Sequence, residues 1–212
     1  MVWLNRLKNW GQWISLYLWL VSGTIILTIN ATWLYWLNAL TQKLGSTVNL
    51  SLGRLMTNYS QLLAYLNFPW TSRLAMNDFT DSVGALRHFA DVKALFMLNN
   101  VVFIVTSVVV FYFWRQLKRR QQLWRLVLPM QGALWVPPLV AAIMAVNFDQ
   151  FFVFFHEVLF RNSDWLFDPL YDRIILVLPD TFFLQCFVLA FVIIEWAFAF
   201  YLSVGKQALK NL

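Results

Sequence analysis

Four long runs of apolar residues set the pattern of this chain, at positions 13–37, 95–114, 126–146 and 181–202. Each run reaches the roughly 20 residues that an α-helix needs to cross a hydrocarbon core of about 30 Å. The first run exceeds the roughly 7–15 residues of a signal-peptide apolar region, and no small-residue cleavage site follows it. The pattern predicts an all-α membrane protein with four transmembrane helices, and we interpret residues 1–212 as a single integral membrane domain.

The segment between the first two runs, residues 38–94, is too long for a simple connection and too apolar to be disordered. Within it, residues 54–67 repeat apolar side chains at helical spacing, which predicts a helix. A second short helix is predicted from about 81 into 93, with Asp78 or Thr80 as its N-cap.

The segment between the last two runs, residues 147–180, is predicted to contain two further helices. Residues 151–160 are expected to lie in the membrane interface as a helix, with Glu157 and Arg161 spaced i, i+4 as an ion pair. Asp168 followed by proline signals a second helix start, because aspartate caps well and proline is tolerated at the first helical position. We expect the two segments together to form an extracellular cap resting on a four-helix bundle.

Charge predicts the orientation of the chain. The leader, the 115–125 loop and the tail carry nine basic residues and no acidic ones, and nine of the ten acidic residues lie in the other two loops. Because basic loops remain in the cytoplasm, both termini and the 115–125 loop are expected there. The net charge of +6 is then explained by topology and anionic lipid, and does not indicate a nucleic-acid partner.

Cysteine content excludes one class of membrane enzyme. Cys186 is the only cysteine and falls inside the fourth run. An intramolecular disulfide or a CxxC redox pair is therefore impossible. This excludes the four-helix disulfide-forming oxidoreductases, which need cysteine pairs facing outward.

The chain has only two histidines, His88 and His156, and the predicted topology places both on the outer side. Histidine is the side chain whose ordinary pKa allows proton transfer in both directions near neutral pH. On a helix, Asp91 would share a face with His88 and orient its ring. The alternatives are a surface histidine with an incidental acidic neighbour at 88, and an interfacial anchor at 156.

Other polar and aromatic residues near the last two runs are open to two interpretations. Trp165, Asp168 and Asp172 form the lip of a substrate site in one interpretation. In the other, Asp168 caps a helix and Trp165 anchors the chain at the interface. His156-Glu157 lacks the second histidine of a zinc-binding HExxH motif, so neither a metal nor a cofactor is predicted. Without a Ser-His-Asp order, a phosphate loop or a cysteine nucleophile, an enzyme of this kind is expected to work without an acyl-enzyme intermediate.

Three ordered motifs lie around the predicted outer loops: "RHFADVK" before the second run, "FFHEVLF" after the third, and "WLFDPLYDRIILVLPDTFF" leading into the fourth. Together with four spans and an outer cap, this order resembles the bacterial lipoprotein intramolecular transacylase family, Lit. The resemblance covers most of residues 85–183 and the overall topology.

The resemblance implies an acyltransferase of the bacterial cell membrane with its active site at the outer face. Its substrate would be a diacylglyceryl lipoprotein, whose sn-2 acyl chain moves to the amino group of its own N-terminal cysteine to give a lyso-form lipoprotein. The two family histidines correspond to His88 and His156, with Asp91, Glu157, Arg161, Trp165, Asp168 and Asp172 in support. We expect a monomer whose only other partner is the bilayer.

The chemistry fits histidine, because an α-amine with a pKa of about 7.7–8.0 must lose a proton before it attacks an ester. Two other classes remain open from the residues alone. One is a membrane hydrolase or metal-dependent protease that uses the same histidines. The other is a non-enzymatic four-span partner or permease subunit.

Overall fold

A computed structural model of the protein describes the backbone of residues 2–211 and the side chains of residues 9–211. Every regular element in this range is helical. The α-helices are α1 (Val2–Ile29), α2 (Thr32–Thr41), α3 (Leu44–Thr47), α4 (Leu52–Asn67), α5 (Val83–Arg119), α6 (Val127–Ala133), α7 (Val136–Val146), α8 (Phe148–Leu159) and α9 (Asp180–Lys210). Two 3₁₀ helices, Leu123–Leu126 and Arg173–Val177, complete the set.

Four helical stretches are long and apolar enough to cross a membrane: Asn9–Thr41, Val83–Arg119, Leu123–Val146 and Asp180–Lys210. The predicted all-α fold with four membrane-spanning helices is therefore confirmed. At 37 residues, α5 is about 55 Å long, which exceeds the thickness of a hydrocarbon core. The predicted short helix from 81 into 93 is consequently wrong as a separate element, because these residues form the first turns of α5.

Two of the predicted spans are interrupted. The first breaks between α1 and α2, where the backbone N–H of Thr32 donates to the carbonyl of Asn30 at 2.8 Å; asparagine favours such turns because its side chain competes for backbone hydrogen bonds. The third breaks between α6 and α7. Pro137 and Pro138 lie in the first turn of α7, the part of a helix where the missing proline N–H is tolerated.

The described chain divides into two compact units. The first comprises residues up to 28, 99–146 and from 188 onward. Its helices pack mainly through apolar side chains, and a few side-chain hydrogen bonds add to this packing. Trp19 Nε1 donates to Ser107 Oγ at 2.8 Å, and Tyr17 Oη donates to the carbonyl of Pro129 at 2.9 Å. Its buried core residues are Leu16, Leu20, Val110, Phe113, Leu117, Leu126, Met130, Ala133, Ile194 and Phe198.

The second unit comprises residues 29–98 and 147–187, and it contains both histidines. Tyr35 and Tyr59 stack at its centre with ring centroids 3.8 Å apart, and Phe182 meets both edge to face. The Tyr35 hydroxyl donates to the carbonyl of Val177 at 3.1 Å, so this buried polar atom is satisfied. The unit therefore has its own aromatic core.

The helix predicted over 54–67 is present as α4, which begins two residues earlier. Ser51 caps it by accepting a hydrogen bond from the backbone N–H of Arg54 at 3.3 Å. Asp78, one of the two predicted N-caps of the next helix, instead pairs with Arg54 and accepts from Asn58 Nδ2 at 2.7 Å. Asp78 thus holds its loop against α4.

Candidate active site

The start of α5 is fixed by Asp172, which lies in the other segment of the second unit. Asp172 is only 4% exposed and accepts hydrogen bonds from the backbone N–H of Ser82 at 2.7 Å and from Ser82 Oγ at 3.0 Å. Ser82 Oγ in turn accepts from the backbone N–H of Ala85 at 3.1 Å. Ser82, and not Asp78 or Thr80, is therefore the cap of α5, and Asp172 holds it in place.

The helix predicted to begin at Asp168 does not form. Asp168 Oδ1 accepts from the backbone N–H of Leu170 at 2.9 Å, and its carbonyl accepts from the N–H of Asp172 at 2.7 Å. These bonds make a tight turn, the alternative that aspartate followed by proline also favours. The turn places Asp172 next to Ser82, so the structural role of Asp168 is to shape this loop. The short 3₁₀ helix Arg173–Val177 follows the turn.

His88 lies two turns into α5 and is only 8% exposed. Aromatic rings surround its imidazole: the ring centroids of Phe160 and Phe167 lie 4.7 Å and 5.5 Å away, both edge to face. Its Nδ1 atom is buried and has no hydrogen-bond partner among the described residues. A buried polar atom left unpaired is costly, and such atoms concentrate at functional sites.

His156 lies in the last turn of α8 and is held by its own helix. Its Nδ1 lies 2.8 Å from the carbonyl oxygen of Phe152. Because a carbonyl only accepts, Nδ1 carries the proton and Nε2 of the neutral ring is left with a free lone pair. The rings of Phe152 and Trp165 pack at 4.2 Å and 4.9 Å, and burial lowers the pKa of His156 against the opposing effect of the Phe152 hydrogen bond.

The two imidazoles share one aromatic pocket. Their ring centroids are 6.0 Å apart, with the planes tilted by 35°. Phe160 contacts both, at 4.7 Å from His88 and 5.8 Å from His156. The fold therefore brings together the two histidines that the sequence singled out, in surroundings from which bulk water is largely displaced.

The loop that carries Trp165 is tied to α5 by two polar contacts. Arg87 forms a two-pronged ion pair with Asp164, at 2.9 Å and 2.8 Å, and Arg87 holds the pKa of that carboxyl below its usual range. One turn later, Asn162 Nδ2 donates to Asp91 Oδ2 at 3.0 Å. These ties position Trp165 against His156.

Asp91 therefore does not orient His88 as predicted. Its carboxylate contacts Asn162, whereas the Nδ1 of His88 has no partner. The helical spacing was correct, but the carboxylate of Asp91 is engaged by the neighbouring loop instead.

The predicted ion pair between Glu157 and Arg161 is also wrong. Because α8 ends at Leu159, Arg161 leaves the helix and the i, i+4 spacing no longer applies. The ion pairs among the described side chains are Arg54–Asp78 and Arg87–Asp164. Glu157 is exposed beside His156, and Arg161 faces an open cleft of about 260 Å³.

Sequence reasoning missed Phe160 and the residues that tie down the loop, Arg87, Asn162 and Asp164. Phe160 lies one helical turn after His156, so its spacing carried a usable signal. The loop contacts join residues more than 70 positions apart, as for Asn162 and Asp91, and no local pattern indicates them.

Four membrane-spanning helices and a histidine pair, with His88 buried and His156 half-buried, define an integral membrane protein with a site suited to proton transfer. The family model described as lipoprotein intramolecular transacylase Lit matches residues 10–183, and the chain belongs to that family. It is an acyltransferase of bacterial membranes that acts on lipoproteins. No curated protein sequence matches the chain.

Solved structures of Lit from Bacillus cereus have the same fold. One aligns over 100% of this chain and 98% of its own, with a TM-score of 0.92 at 23% identity. Two more, in which a histidine is replaced by arginine or by alanine, have TM-scores of 0.83 and 0.84 at 22% identity. They cover 98% of this chain and 93% and 94% of their own.

Proposed function

We propose that the protein moves the sn-2 acyl chain of a diacylglyceryl lipoprotein to the amino group of the same molecule's N-terminal cysteine. The observation that carries this proposal is the histidine pair, with ring centroids 6.0 Å apart in an aromatic pocket. Two imidazoles placed side by side, each able to accept and to donate a proton, suit a reaction in which one proton leaves an amine and another reaches an alkoxide.

His156 is proposed as the base, because its Nε2 lone pair is free while Nδ1 is held by Phe152. The amine nitrogen attacks the ester carbonyl carbon and gives its proton to Nε2. The carbon–oxygen bond of the ester then breaks, and the glyceryl oxygen takes a proton from His88. His88 in turn receives the proton that His156 took from the amine, so both rings end the reaction neutral. The products are an amide and a free 2-hydroxyl, so atoms balance without water and without a serine or cysteine nucleophile.

The substrate supplies both reacting groups, so the protein contributes mainly geometry. Folding one molecule so that amine meets ester turns a bimolecular attack into a unimolecular one, worth up to about 7–11 kcal/mol of the barrier. Aromatic rings around the histidines exclude the water that would otherwise hydrolyse the ester. The expected product is therefore N-acylated lipoprotein with little free fatty acid.

The pH dependence follows from the lowered pKa of His156. A base works only when unprotonated, so kcat/KM rises as His156 loses its proton. This rise, the histidine limb of the pH profile, is expected below pH 6.5, the ordinary pKa of histidine. Between about pH 6.5 and 8 the rate should keep rising, as the substrate amine with a pKa of about 7.7–8.0 loses its proton. A pH profile of kcat/KM on a purified lipopeptide checks this, and a histidine limb above pH 6.5 would contradict it.

We further propose that both termini and the 115–125 loop are cytoplasmic, that the histidines lie on the outer face, and that the protein acts as a monomer. The asymmetry of charge supports this orientation. In a Cys186→Ser background, Ser72→Cys should react with an impermeant maleimide added outside intact cells, whereas Gln121→Cys should react only after permeabilisation. External labelling at 121 would overturn the orientation.

A substrate with an isotopically heavy sn-2 chain and a light sn-3 chain tests the transfer itself. We expect mass spectrometry to find the heavy chain on the cysteine nitrogen and the light chain still on glycerol. Transfer of the light chain would refute the sn-2 assignment while leaving the enzyme a transacylase. Release of heavy fatty acid without amide formation would instead indicate a hydrolase.

A further inference from the structure

A cleft opens beside the histidine pocket and is lined by Asp91, Leu95, Leu159, Phe160 and Arg161. Its volume of about 260 Å³ lies below the roughly 300–1,000 Å³ typical of sites that enclose a drug-sized ligand. It therefore suits a small polar head and not a whole diacyl lipid. Phe160 lines the cleft and also contacts both imidazoles, so the cleft adjoins the proposed reaction centre.

Asp91 presents an acceptor to this cleft. Its Oδ2 atom accepts from Asn162 at 3.0 Å, and its Oδ1 atom has no hydrogen bond to any described residue. Arg87, one turn earlier on α5, is engaged by Asp164 through Nε and Nη2. A half-buried carboxylate that is held in place and lines a cleft is a preformed site for a cationic donor.

The proposed substrate carries one such donor next to the ester that reacts. Its α-amine has a pKa of about 7.7–8.0, so it is mostly an ammonium ion at pH 7. The glyceryl part and both esters are neutral. Resting on the proposed function, we propose that Asp91 binds the α-ammonium group of the lipoprotein and thereby selects substrates with a free amino terminus.

This assignment also accounts for product release. Acylation converts the ammonium into a neutral amide, which no longer forms a charge-assisted bond with Asp91. Asp91 alone would make the amine harder to deprotonate, since a nearby anion favours the charged form. Arg161, which lines the same cleft and has no ion-pair partner among the described residues, offsets this effect by its positive charge.

Binding of analogues that cannot react tests the proposal apart from chemistry. Two lipopeptides with ether bonds in place of both esters are compared, one with a free amino terminus and one with an acetylated terminus. Wild-type protein in detergent should bind the free-amine form about tenfold more tightly at pH 7, the ratio expected of one charge-assisted contact. The preference should fade above about pH 9, where the amine is neutral.

Asp91→Asn should bind the two analogues about equally, and Asp149→Asn should keep the tenfold preference. Asp149 is an exposed acidic residue at the start of α8 in the same unit, so it controls for loss of charge. If Asp91→Asn fails to fold, Asp91→Ser is measured in its place. A retained preference in the Asp91 variant, or none in the wild type, overturns the proposal; failure of acyl transfer on ester substrates would instead refute the proposed function.

Discussion

Replacing either histidine by alanine should lower the rate of acyl transfer by about 10²–10⁴-fold, the usual contribution of a positioned acid or base. His156→Ala removes the Nε2 lone pair proposed to take the amine proton. His88→Ala removes the ring proposed to return a proton to the glyceryl oxygen. Initial rates on a purified diacylglyceryl lipopeptide, followed by mass spectrometry, measure both effects.

The double variant should be little slower than either single variant, because groups that act as a unit are strongly non-additive. Leu86→Ala and Val158→Ala are matched controls, since both side chains are exposed and lie on the same helices within two residues of the histidines. Thermal unfolding in detergent separates loss of chemistry from loss of fold. Near-normal activity of either histidine variant would remove that residue from the mechanism.

The largest effect on stability is expected from Asp172→Ala. The substitution leaves two donors at the start of α5, the backbone N–H and the hydroxyl of Ser82, without their buried acceptor. Leaving a buried donor unsatisfied costs about 1–3 kcal/mol. Activity should fall as well, because the first turns of α5 carry His88 and Asp91.

Asp168→Ala is the control for this variant, because Asp168 is exposed and its side chain accepts only the Leu170 N–H. The substitution keeps the Asp168 carbonyl, which accepts from the Asp172 N–H. Its free energy of unfolding should change by no more than about 0.5 kcal/mol. Asp172→Ala should also lower the pKa of Asp81, which burial, and then the charge of Asp172, raise to about 6. Equal thermal stability of the two alanine variants would show that Asp172 does not hold the Ser82 cap of α5 in place.

The spans and the two helices α4 and α8 were predictable because each depends on a local sequence pattern. Apolar runs of sufficient length predict membrane-spanning helices, and helical spacing over 54–67 predicted α4. The helix expected over 151–160 is present as α8, which begins three residues earlier and ends one residue earlier. The same local information failed at the boundaries. The break at Asn30 and the continuity of α5 from Val83 onward depend on single residues that a run of apolar side chains conceals.

The histidine pair could be selected from the sequence because the chain has only two histidines and the order of the surrounding motifs resembles one family. Their surroundings could not be predicted in the same way. The sequence suggests a substrate lip at Asp172, yet its hydrogen-bond partner Ser82 lies 90 residues away. Asp91 was assigned to His88 by helical spacing, whereas the loop that carries Asn162 engages it in the fold.

Intramolecular transfer to a free amine is tested most directly by a pair of lipopeptides that differ only at the amino terminus. Both carry the same two ester-linked chains, and one has its α-amine acetylated, which removes the nucleophile and leaves the ester intact. With the purified protein, the free-amine substrate should give N-acylated lyso-form product with little free fatty acid, and the acetylated substrate should keep both chains. If the acetylated substrate loses an acyl chain as fast as the free amine does, the protein is a lipase and the transacylase mechanism is wrong.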